Sequence, residues 1–202
     1  MGHGKYIAPP AGKYQVQEGQ TLELQFVVLP GESRDIDLSI DLCGPGAQAH
    51  VKALYLCKAN EQVSFRIVVH HKAPACHSTQ IINGIAGGCA RVSFDGTIVV
   101  APDAQRTEAY QENHNLLLSD SCLAKSLPQL EIYADDVACS HGATTGFLSA
   151  EEQFYMRSRG IPEAEARVLQ MISFLAPVLA RIADDAERER LSAEVEAAVR
   201  AL

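Results

Sequence analysis

The sequence predicts a mostly β domain followed by a small helical one, and three observations carry that expectation. Short segments of apolar–polar alternation recur through the first two thirds of the chain, the period-2 pattern of a strand with one face on a core. Gly, Pro and Asn punctuate the gaps between them, at Pro30-Gly31, Gly44-Pro45-Gly46, Asn60, Ala73-Pro74, Gly87-Gly88 and Pro102-Asp103. Past Ser149 the apolar spacing changes to threes and fours, the pattern of amphipathic helices.

Residues 1–12 are rich in Gly and Pro and are expected to form a flexible N-terminus, ahead of a β core over 13–146 and a helical subdomain over 147–202. Leu22, Leu24, Phe26 and Val28 open the strand series, followed by Ile36–Leu42, Val51–Cys57 and Val63–Val69. Ser78–Ile82 and Val92–Val100 continue it. These segments begin roughly every thirteen residues, a spacing that fits a sandwich, a barrel or a solenoid. The polar run Thr107–Asn115 leans toward a solenoid, where each coil touches only its neighbours. Ser149-Ala150-Glu151-Glu152 reads as a capping box, with Gly160 available for a left-handed stop. Pro162 suits the first position of a second helix, whose seam is Val168, Ile172, Leu175, Leu179 and Ile182. Pro177 is expected to kink or divide that helix. Leu191, Val195, Ala198 and Leu202 share one face of a third.

Composition excludes several classes. At 202 residues, 47% hydrophobic and 21% charged, the chain has the make-up of a folded soluble domain. A net charge of -8 argues against a nucleic-acid surface. No apolar run reaches membrane-span length, and the first ten residues lack the apolar core of a signal peptide. Six scattered cysteines without a C-x-x-C read as reduced thiols of a cytoplasmic protein. No Walker A, G-x-G-x-x-G or nucleophile elbow occurs, so ATP hydrolysis is not expected, and the chain is read as no enzyme. A polysaccharide-acting β-helix is disfavoured because Asp135 and Asp136, adjacent on a strand, point to opposite faces.

The stretch Pro128–Gly146 gathers Asp135, Asp136, Cys139 and His141, and Cys and His are ligands for soft or borderline metals. Two ligands do not make a site, and Cys139 following Val137-Ala138 also reads as a small buried hydrophobe beside a surface His. Cys43, Cys57 and Cys89 are read as packing residues in strands. Cys76-His77 with His70-His71 forms a denser cluster, but strand neighbours face opposite ways.

Several blocks in fixed order carry a resemblance. They are Lys72–Ser78, Asp95–Gln105, Asn115–Asp120, Pro128–Gly146 and Phe154–Pro162. Across roughly residues 35–185 the chain resembles the SufB/SufD family, the paired scaffold proteins of the SUF iron–sulfur assembly system, and is more similar to its SufD branch. That resemblance implies a right-handed parallel β-helix followed by a helical subdomain. It implies pairing through the β-helix end nearest the helices, and helices that dock the ATPase SufC. The chain looks like a short form, without the N-terminal region and upstream coils of its relatives. His141 matches the partner-facing histidine of SufD-like sequences, and Cys122, in Ser119-Asp120-Ser121-Cys122, looks like the cysteine of SufB.

The expectation is therefore a non-catalytic scaffold that pairs with itself or a SufB-like protein. Cys122 and His141 are its candidate ligands for a transient iron–sulfur cluster, with Cys139 a further candidate metal ligand. Glu131, Tyr133, Asp135 and His141 are expected at the pairing interface, and Phe154, Tyr155, Arg157, Arg159 and Gly160 at the ATPase. The alternative is an interaction or regulatory module for the ATPase that carries no cluster.

Overall fold

The structure, a computed structural model, describes residues 3–7, 12–31 and 33–202. Among the described residues eleven strands precede three helices. The odd-numbered strands are β1 (His3–Ile7), β3 (Thr21–Val28), β5 (Gln48–Cys57), β7 (His77–Ala86), β9 (Thr107–Leu117) and β11 (Val137–Phe147). The even-numbered are β2 (Gly12–Val16), β4 (Arg34–Leu42), β6 (Gln62–His71), β8 (Arg91–Val100) and β10 (Leu123–Ile132). Every strand pairs in parallel with the strand two places along, giving one sheet β1-β3-β5-β7-β9-β11 and another β2-β4-β6-β8-β10. This is a parallel β-solenoid of about five coils, each contributing one strand to each sheet. The register is regular: Gln48 pairs His77, and His77 pairs Glu108.

The core lies between the two sheets. Leu24, Phe26, Val51 and Ala53 from one sheet meet Leu38, Ile40, Phe65, Ile67 and Phe94 from the other. Strands β4, β6 and β8 alternate cleanly because their second face meets water, as in β6 with Val63, Phe65, Ile67 and Val69 inside. Strands β5 and β7 lose the alternation toward their ends, where Leu54–Cys57 and Ile81–Ala86 are buried on both faces.

The helices cause that double burial. They are α1 (Ala150–Ser158), α2 (Glu163–Leu179) and α3 (Asp185–Arg200). Met171, Leu175, Val178 and Leu179 of α2, with Leu191, Val195 and Val199 of α3, cover Leu54, Leu56, Ile81 and Ile85. Polar contacts also pin the subdomain: Asn83 Nδ2 donates to Phe174 O at 3.0 Å, Lys52 Nζ to Arg181 O at 3.0 Å and Lys58 Nζ to Ala201 O at 3.5 Å. The Ser149 half of the expected capping box caps α1, its Oγ accepting from Glu152 N at 3.2 Å, while Glu152 Oε2 accepts from Gln170 Nε2 at 2.7 Å. Gly160 follows it at φ +88°. Pro162 is the N-cap of α2 rather than its first residue. Pro177 does not divide α2, which runs on to Leu179; so near the end, proline interrupts only the last turn.

Within the stretch 1–12 read as a flexible N-terminus, His3–Ile7 form β1 against β3 and Gly12 opens β2; residues 1, 2 and 8–11 lie outside the described residues. Cys89 is not a packing residue in a strand: it is exposed in the turn between β7 and β8.

Candidate functional site: the open end of the solenoid

The last coil has no coil beyond it, so β10 and β11 are edge strands of their two sheets. Their backbones present unpaired hydrogen-bonding groups to whatever lies past the end. The inner faces are correspondingly uncovered, with Leu130 and Ala143 no more than half-buried or exposed where earlier coils bury their equivalents. Large apolar groups stand exposed around this end at Leu123, Leu127, Ile132, Tyr133 and Phe147.

Register decides which residues face inward. Ala109, Gln111, Asn113 and Asn115 of β9 are buried, and they pair Cys139, His141, Ala143 and Thr145 of β11. Cys139 and His141 therefore share the inner face of the terminal strand, two residues apart, about 7 Å along it. Cys139 packs partly against Ile98, Val100, Ala104 and Ala109. Burial raises its thiol pKa, with Ala109's backbone hydrogen bond opposing in part. His141 is exposed.

Beneath them the lumen is polar. Gln111 Nε2 donates to Gln80 Oε1 at 3.2 Å, and Asn113 Nδ2 to Ile82 O at 3.3 Å. Asn115 Nδ2 donates to Asn113 Oδ1 at 2.9 Å and reaches Thr144 O and Thr145 Oγ1 of β11 at 3.3 Å each. Its Oδ1 accepts from the hydroxyl of Tyr55, which is wholly buried two coils below. Two glycines make room for these side chains: a Cβ on Gly84 would fall 2.0 Å from the Tyr55 ring, and one on Gly96 would fall 2.5 Å from Gln111 Nε2. The polar run Thr107–Asn115 was visible in the sequence. Its role as the floor of the open end was not, because that depends on which coil is last.

Cys122 lies elsewhere. Its buried thiol is 3.2 Å from Ala86 O, 3.4 Å from Gly88 O and 3.2 Å from Ser119 Oγ. Ala86 pairs Leu117, which pairs Phe147, whereas His141 pairs Gln111. Six residues of strand rise thus separate Cys122 from His141 within one chain, roughly 20 Å. Of the expected interface residues, Glu131 points outward at the end of β10, and Tyr133 and Asp135 are exposed in the turn to β11, at the same end as His141.

No residue of α1 is buried, and Phe154 and Tyr155 are 74% and 60% exposed. Arg159 stacks 5.5 Å over the Tyr155 ring, and Arg157 Nη1 lies 3.4 Å from Glu163 Oε2. Gly160 has open space around it. Between α1, α2 and the end of β11 runs a groove of about 980 Å³ walled by Phe147, Tyr155, Met156, Leu169 and Phe174.

The Cys76/His77/His70/His71 cluster disperses. His71 is buried against Ser78 Oγ at 2.8 Å, His70 pairs Asp41 at 3.0 Å, and His77 pairs Glu108 at 3.4 Å. Among the described residues no three His, Cys, Asp or Glu side chains converge to hold a metal ion within one chain. No helix is long and apolar enough to cross a membrane.

Comparison with known proteins agrees with this architecture. A family model described as the SufBD core domain of the SUF system of iron–sulfur cluster assembly matches residues 11–174. An iron–sulfur cluster assembly SufBD family protein of Mycobacterium tuberculosis is 34% identical over 178 residues, covering 84% of this chain and 45% of the relative. The iron–sulfur cluster assembly protein SufD of Escherichia coli is 34% identical over 157 residues, covering 78% and 37% respectively. SufD of Bacillus subtilis is 28% identical over 160 residues, covering 79% and 37%. The chain spans less than half the length of these curated relatives. With the matched region reaching from the first full coil into α2, the chain belongs to the SufBD core family of iron–sulfur cluster assembly.

Proposed function

We propose that this chain is a non-catalytic scaffold or accessory component of SUF-type iron–sulfur cluster assembly. It pairs through the open end of its solenoid with a second copy or a SufB-like protein, and it docks a SufC-type ATPase through α1. The supporting observation is the uncovered last coil, where two edge strands, a rim of exposed apolar side chains and the inward-facing Cys139 and His141 occupy one end. A transient cluster there would take few or mixed ligands, which favours release over retention.

Among the described residues no three candidate ligands converge within one chain, and in this reading a partner completes the ligand set. Two copies paired antiparallel about an axis near the level of Thr144 would set His141 of each at the Cys122 level of the other. Exposed Phe154 and Tyr155 on a helix without buried residues support the docking role of α1.

The test is anaerobic reconstitution with iron and sulfide, read by visible absorption alongside mass by light scattering. A paired species should carry a chromophore that is lost in Cys122→Ala/His141→Ala. A colourless wild type, or colour unchanged in that variant, rejects the cluster role. Pull-down of the ATPase should fail for Phe154→Ser/Tyr155→Ser while the fold is kept. The second reading is an ATPase-binding module without a cluster; wild type that binds the ATPase but stays colourless selects it.

A further inference from the structure

We infer that Gln111 is a positioning residue for His141, its Oε1 accepting one ring N–H so that the other ring nitrogen turns out of the open end. The inference rests on the proposed role of His141 at that end. Gln111 is 1% exposed, yet its Oε1 has no hydrogen-bond partner within the described residues. Buried acceptors of this kind are nearly always satisfied, so an unpaired one marks a place where a donor belongs.

Three features say which donor. Gln111 Nε2 is committed to Gln80 Oε1 in the preceding coil, and that coil leaves the amide carbonyl without a partner. The register neighbour on β11 is His141. The amide also extends across the lumen to Gly96, the glycine whose missing Cβ admits it, and Pro128 stacks on Gly96 in the next coil. The amide end of Gln111 thus lies at Gly96, and in the last coil Pro128 pairs Gly96 as His141 pairs Gln111. In this assignment the exposed imidazole turns one ring N–H onto Oε1. A histidine that binds metal through one nitrogen characteristically donates its other N–H to an oxygen, which fixes tautomer and ring orientation. The Gln80–Gln111 ladder supplies that oxygen from a rigid, buried base.

The test uses iron-free, 15N-labelled protein at a pH where the ring is neutral, reading the His141 tautomer from the two ring nitrogen shifts. Wild type should show one dominant tautomer with a ring proton protected from exchange. Gln111→Met, of similar length but without an acceptor, should shift the tautomer ratio about five-fold, the factor carried by one net hydrogen bond. Gln111→Glu keeps an acceptor oxygen and should retain the wild-type tautomer. An unchanged ratio in Gln111→Met, or an equal shift in Gln111→Glu, overturns the inference. So does a rapidly exchanging tautomer mixture in wild type, which decides the matter even where Gln111→Met fails to fold. Because no iron is present, loss of the cluster chromophore in the experiment above leaves this result standing or falling by itself.

Discussion

Gly84→Ala places a methyl group 2.0 Å from Cε1 and Cζ of Tyr55, where carbon atoms need about 3.5–4.0 Å. The ring has little room to retreat. It is fully buried among close-packed neighbours, and its hydroxyl is bonded to Asn115. The substitution should therefore cost at least the upper end of the overpacking range, about 3 kcal/mol, despite the entropic gain of replacing glycine in a strand. For a chain of this size that lowers Tm by about 6–12 °C. In a Tyr55→Ala background, itself destabilised by about 3–5 kcal/mol, the same methyl enters vacated space and should be nearly neutral. Urea unfolding followed by circular dichroism for both single variants and the double one gives the coupling energy, expected at about 2 kcal/mol or more. An equal penalty for Gly84→Ala in both backgrounds would refute the assignment of the clash to Tyr55.

Stability should also depend on His71. Burial, with a smaller contribution from His77, pushes its pKa down to about 4, so the folded state holds it neutral where the unfolded chain protonates near 6.5. Its contribution is complete above pH 6.5 and is lost as pH falls toward 4, by about 3 kcal/mol; His71→Gln should flatten that slope in urea midpoints, and an unchanged slope would reject the cause. His50, whose pKa is lowered chiefly by burial, adds a residual slope of the same sign. Leu175, fully buried between α2 and the outer faces of β5 and β7, should cost about 2–5 kcal/mol as Leu175→Ala. A loss below about 1 kcal/mol would mean that the helices are not integral to the fold.

Strands such as β4 and β6 were legible because one face is wet and the other dry, which is what period-2 alternation records. The covered ends of β5 and β7 were not, since Leu54-Tyr55-Leu56 is apolar on both faces only because α2 and α3 lie outside. Helix caps read correctly at Ser149 and Gly160, where the determinants are local. The pairing of each strand with the one two places along is long-range, and periodicity left it undecided among three architectures; resemblance to the family resolved it. Cys89 was misread because its neighbours continue a strand-like run, while a turn at Gly87-Gly88 carries it to the surface. His141 and Cys139 could be grouped from sequence because they are two residues apart on one strand. The separation of Cys122 from them depends on coil stacking, which no local signal encodes.

The attachment of the helices has a mechanical consequence. Helices α2 and α3 are clamped to the middle of the sheet by Leu175, Asn83 and Lys52, but α1 continues directly from β11 through Leu148 and Ser149. Force applied to α2 or α3 spreads into coils held by ladders on both sides. Force applied to α1 runs along the backbone into β11, which has a ladder on one side only. A load on α1 therefore bears on an edge strand, the one that carries His141, while the body of the solenoid acts as the anvil.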